Sequence, residues 1–245
     1  MKKLVSLLFV LSSFTLIGCN QSSVSYKEVD SVDEYFTEAK VQAAKDAYAS
    51  EDKTSIIFKQ NYTGMDYKVI WEMDTNYFYE DSYQAINIGS QKSISRDKTL
   101  YLGSEVVEDC KYYIVEDGNN HEEKSGEEAV SKYNSSRVDV RKNIANGIGN
   151  PTYFLANIVS FPLDDAAVKY YLGSDNTLKY VFSNKDYKLN AYLIVDINTL
   201  VVTKLYVKYI TMVDEKNSLT ITSSMSASLS CSKHKTLEDI GWKQA

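Results

Sequence analysis

The sequence predicts a mainly β, α+β fold: a curved antiparallel sheet or half-barrel of about ten strands, with an N-terminal helix and a central helical insert. Three observations carry this expectation. From Thr54 onward, short segments alternate apolar and polar residues with a period of two, the spacing of a half-buried strand. Twenty tyrosines suit a pleated, half-buried surface, and only two prolines are present to interrupt it. The strand-like runs fall into two blocks on either side of a polar, helix-like stretch. Antiparallel sheets of this size curl or close. A two-sheet β-sandwich satisfies the same strand pattern and stands as the alternative.

The first periodic element is DSVDEYFTEAKVQAAKDAYAS. Asp30 or Ser31 suits the N-cap, and Asp33 and Glu34 place negative charge in the first turn. Val32, Phe36, Ala39, Ala43 and Ala47 share a helical face, which predicts a helix over 31–49. The runs SIIFKQNYTG, YKVIWEMDTN, YFYEDSYQAINIGS, TLYLGSEV and CKYYIVEDG then read as a meander of strands. Residues 62–66 and the Asp117-Gly118 pair supply turns that tolerate positive φ. The insert begins near Glu127-Glu128 and continues to TYFLANIVSF, an apolar helix candidate that Pro151 starts and Pro162 stops. VKYYLG, TLKYVFSN, YKLNAYLIVDI, TLVVTKLYVKYITMV and SLTITSSMSASLSCS resume the sheet. In the fourth of these, Val201, Thr203, Leu205, Val207 and Tyr209 form a nearly dry face, and Lys204, Tyr206 and Lys208 a wet one. KTLEDIGWKQA closes the chain with a short helical turn.

Lys2 and Lys3 followed by LVSLLFVLSSFTLIG form a positive n-region and an apolar h-region. The run is too interrupted by Ser and Thr for a span of ~20 residues, so residues 1–18 read as a cleaved secretory signal. Leu16-Ile17-Gly18-Cys19 resembles a bacterial lipobox. The resemblance implies diacylglyceryl transfer to the Cys19 thiol and cleavage after Gly18. Two acyl chains suffice for stable attachment. The expected location is extracytoplasmic, lipid-anchored to the bacterial cell membrane. Residues 19–29 read as a lipidated tether and residues 30–245 as one β-rich domain.

The net charge of −6 becomes more acidic once Lys2 and Lys3 are removed, which excludes attraction of nucleic acid by charge. With Cys19 lipidated, Cys110 and Cys231 remain. They form either a long-range disulfide, allowed in that compartment, or two separate buried thiols.

The layout resembles the periplasmic lipoprotein carriers and related surface lipoproteins of the LolA and LppX type. TSIIFKQNYTG is similar to that family's first strand, TLYLG to a strand after a short turn, AYLIVDINTLVVTKLYV to its late hairpin, and NPTYFLANI to its central insert. The resemblance implies a half-barrel that cradles acyl chains between sheet and helices. It carries over no binding signature, and the soluble carriers themselves lack a lipid anchor.

No catalytic residue is expected. Ser90, Ser104 and Ser174 follow glycine but lack the second glycine of a nucleophile elbow. No metal ligand and no cofactor are expected either. His121-Glu122-Glu123 reads as a solvated turn, and the pairs Asp164-Asp165 and Glu127-Glu128 lack calcium-loop spacing. Gly147-Ile148-Gly149 lacks a dinucleotide-binding context. The clustered aromatics suit cross-strand packing or an apolar cleft. The expected function is binding of a hydrophobic or amphiphilic ligand by Ile70, Trp71, Leu155, Ile158 and Leu205. The alternative is a surface module that binds an envelope protein or polymer.

Overall fold

A computed structural model of the chain describes residues 24–50, 53–62, 64–157, 166–186, 188–212, 218–231 and 233–244. Cys19 and the leader lie outside the described residues, as do Ile158 and Pro162. In chain order the elements are β1 (Tyr26–Val29), α1 (Glu38–Ser50), β2 (Thr54–Tyr62), β3 (Met65–Asp74), β4 (Tyr77–Ile88) and β5 (Gln91–Leu102). They continue with β6 (Lys111–Glu116), β7 (Asn119–Ser125), α2 (Gly126–Gly147), α3 (Tyr153–Asn157), β8 (Ala167–Gly173) and β9 (Thr177–Asn184). The last are β10 (Leu189–Asp196), β11 (Val202–Met212), β12 (Ser218–Ser228) and α4 (Leu237–Ile240).

All strands belong to one curved, open, antiparallel sheet in the order β1-β8-β9-β10-β11-β12-β2-β3-β4-β5-β6-β7. The α+β half-barrel expectation holds, and the β-sandwich alternative is excluded because no second sheet exists among the described residues. The two meanders meet where β12 pairs with β2, from Ile221↔Tyr62 to Ser228↔Ser55. The ten expected strand runs all form strands. Two more were not expected. β1 arises within the segment read as tether, and its four residues pair with β8. β7, NNHEEKS, has no apolar face to reveal it; it pairs with β6 and leaves a charged edge that resists further pairing.

The strand period sorts side chains onto two faces. Val69 and Met73 of β3, Phe78 of β4 and Leu205 and Val207 of β11 point into a large core shared with the helices. On the opposite, outer face, Tyr77, Tyr79, Leu100, Tyr113 and Val115 form a second core under the C-terminal segment. That segment is a strap. The amide of Lys235 donates to Tyr77 Oη at 3.0 Å, Lys98 Nζ donates to the Asp239 carbonyl at 2.6 Å, and Asn120 and Lys243 exchange two hydrogen bonds. Thr236 and Asp239 cap α4 reciprocally, and Gly241 ends it at φ 78°.

The N-terminal helix is shorter than expected. A 3₁₀ turn over Asp33–Tyr35 precedes α1, so the periodicity counted from Val32 does not run through. The buried face of α1 is Ala44 and Tyr48, with Val41 half-buried, one position off the expected stripe. Among the described residues, no helix is long and apolar enough to cross a membrane.

Candidate functional site

The helices leave an apolar cleft of about 280 Å³ between α2, α3 and the sheet. Its floor comes from Ile56 and Phe58 of β2, Tyr67 and Trp71 of β3, and Met225 of β12. These residues share the helix-covered face because each lies at an alternate position of its strand, and because β12 and β3 flank β2. Its roof comes from Val140 and Ile144 of α2, one turn apart, and from Phe154 of α3. Asp139 and Asn143 stand beside them on the exposed side and give the mouth its polar rim.

The walls are held in place. Trp71 Nε1 donates to Glu80 Oε2 at 3.0 Å, which ties the indole to the neighbouring strand β4. Burial holds the Glu80 carboxyl above its ordinary value, and the Trp71 hydrogen bond only partly offsets this. Phe58 and Tyr67 are neighbouring rings at 6.3 Å, tilted by 59°. Tyr153 Oη donates to Asn143 Oδ1 at 3.2 Å, tying α3 to the rim. Gly147 lets Phe154 approach, since a methyl there would stand 2.3 Å from the ring.

Of the five residues expected to bind ligand, Trp71 lines the cleft. Leu155 and Leu205 are 0% and 2% exposed and belong to the closed core rather than to the cleft lining. Ile70 is one residue from Trp71, so the period of two places it on the outer face, against the second core. Ile158 lies outside the described residues. The roof residues Val140 and Ile144 escaped sequence reading because α2 is largely polar, with few apolar positions to mark a face.

Cys110 and Cys231 are free thiols. The expected disulfide alternative does not form, because Cys110 is buried in the helix-side core and Cys231 packs against the outer one, with the sheet between them. His121 sits beside Glu116 at 3.2 Å with both side chains at least half exposed.

The strap also brings Cys231 and His234, three residues apart, against Asp74 of β3, a grouping that the sequence analysis did not make. Asp74, Cys231 and His234 each present one ligand atom, all within 4.8 Å of one another. His234 Nε2 lies 2.6 Å from Asp74 Oδ2. Burial first, then the carboxylates of Glu72 and Asp74, push the Cys231 thiol up to about 11. Such a thiol is protonated at neutral pH and is not a poised nucleophile.

No family model matches this chain, and no curated protein does so.

Proposed function

We propose that this chain is a membrane-anchored, extracytoplasmic lipoprotein whose helix-covered cleft holds the apolar part of an amphiphile. One observation carries the reading: an apolar cleft opens at a polar rim formed by Asp139 and Asn143. Burial of an acyl segment against Phe58, Ile144 and Met225 removes apolar surface from water, at ~25 cal/mol per Å². The cleft lies at the lower edge of the ~300–1,000 Å³ range of small-molecule sites. It therefore suits one chain segment rather than a whole two-chain lipid. A carboxylate at the mouth repels an anionic head, so the favoured ligand has a neutral or cationic polar end. The anchor rests on the Leu16–Cys19 sequence, and the carrier-like layout on the resemblance described above.

The test is a titration with a fluorescent, uncharged single-chain amphiphile. Saturable one-to-one uptake is expected. Asn143→Trp, which fills the mouth from an exposed position, should weaken it about tenfold, equivalent to ~1.4 kcal/mol, whereas Asn143→Asp, which keeps the acceptor for Tyr153 without filling the mouth, should leave uptake of an uncharged ligand within about twofold. Absence of uptake by the wild-type chain contradicts the reading.

A second reading has its own observation. On the outer face, beyond the strap, Tyr192 and Tyr206 stack at 5.6 Å, and Lys179 Nζ lies over both Tyr26 and Tyr192. This tyrosine and lysine surface suits an anionic envelope polymer or a partner protein. Loss of polymer or partner binding in Tyr206→Ala, with amphiphile uptake absent, favours it.

A further inference from the structure

The C-terminal strap crosses the outer face and brings three metal-ligating side chains to one point. Asp74 ends β3, and Cys231 and His234 come from the strap in Cys-x-x-His spacing. Among the described residues this is the one group of three or more His, Cys, Asp or Glu side chains placed to hold an ion. We propose that Asp74, Cys231 and His234 form a zinc site that clips the strap to the sheet.

The donor set selects the metal. One thiolate, one imidazole and one carboxylate are the ligand types zinc takes in proteins, and three protein ligands leave a tetrahedral ion one position for water. Calcium and magnesium prefer all-oxygen sets. The distances are close to what zinc needs. Bonds of ~2.0–2.1 Å to nitrogen and oxygen place those atoms about 3.3 Å apart in a tetrahedron, and the ~2.3 Å bond to sulfur slightly widens the other edges. The His234–Asp74 separation of 2.6 Å must open by less than ~1 Å, and the widest separation, within 4.8 Å, must close by about as much.

The ligands are pre-oriented. The His234 ring stacks on Tyr77 with centroids 4.0 Å apart and planes 4° apart, and Tyr77 is fully buried. Its hydroxyl accepts from the backbone of Lys235, fixing the residue next to the ligand. Asp74 Oδ1 accepts from the Asn76 amide at 3.0 Å, which leaves Oδ2 as the ligand oxygen. Such outer supports set ring orientation and ligand basicity. Glu72, two residues before Asp74 on the same strand face and 8% exposed, adds negative field at the thiol. Lys235 and Lys53 oppose it from the other sign. His234, about half exposed, opens the site to entering metal.

On binding, the Cys231 thiol gives its proton to solvent and a sulfur–zinc bond forms. Nε2 of His234 and Oδ2 of Asp74 exchange their mutual contact for bonds to the ion. No electron is transferred, so no redox partner is required. The consequence is mechanical, since the strap bearing α4 becomes fastened at its start as well as along its length.

The full chain, reduced and freed of metal, is titrated with zinc against a chromophoric chelator, and separately with cobalt. One zinc per chain is expected, with a thiolate-to-cobalt charge-transfer band. Cys231→Ser and His234→Asn should each weaken zinc more than about 100-fold, beyond the 10–100-fold typical of altered outer supports, while Cys110→Ser leaves it unchanged. Circular dichroism of the variants reports that they fold. Zinc should also slow hydrogen exchange at Ile240 and Trp242. No zinc uptake overturns the proposal. So does uptake that Cys231→Ser leaves intact, or a cobalt complex without the thiolate band.

Discussion

Glu80 of β4 accepts the indole hydrogen of Trp71, a residue of the cleft. Burial raises its folded pKa, so the ionised form is penalised in the folded state. Stability from this group is present below the unfolded carboxylate value and is lost as pH rises through the folded one. Glu80→Gln keeps an acceptor for the indole and removes the charge. It should raise the melting temperature at pH 7, and the gain should shrink toward zero as pH falls through the carboxylate range; a gain independent of pH contradicts this origin. Leu155, a ligand contact on the sequence pattern, is a fully buried core residue in the structure. Leu155→Ala should cost about 2–5 kcal/mol in denaturant unfolding, the range for a cavity in a closed core. A near-neutral effect on stability with selective loss of uptake would return Leu155 to the cleft.

At the scale of elements, the join of α2 to α3 is the sensitive point of the roof. Gly147 ends α2, and the Phe154 ring occupies the space a side chain would need. Gly147→Ala should force Phe154 toward the cleft, cost about 1–3 kcal/mol by overpacking, and reduce amphiphile uptake more than the lost stability explains. Thermal melts and titrations on the same variant separate the two effects. The strands were legible in the sequence wherever one face was apolar, as in β9 with Leu178, Tyr180 and Phe182 against Lys179 and Ser183. β7 was not, because an edge strand of Asn, His, Glu and Lys carries no alternation. Trp71 could be placed by its run, but Ile70 beside it could not, since a slip of one residue exchanges the two faces. The Asp74–Cys231–His234 group was hidden for a different reason: β3 and the strap meet only through the sheet order and the crossing of the outer face.

For the whole molecule, one sheet performs two tasks. Its helix-covered face forms the cleft, while the opposite face is sealed over β4, β5 and β6 by the strap. Trp242 packs edge-on to Tyr113 at 4.8 Å, and Ile240 is 1% exposed beneath it. The cargo proposed for the open half-barrel is an amphiphile. This is tested most directly by native mass spectrometry of the chain purified from lipid-containing cells into a volatile buffer without detergent. The expected spectrum shows one additional mass of single-chain lipid size, neutral or cationic, released on denaturation and reduced in Asn143→Trp. An apoprotein mass alone, unchanged after incubation with uncharged single-chain lipids, would contradict it and leave the tyrosine and lysine surface of the outer face as the working site.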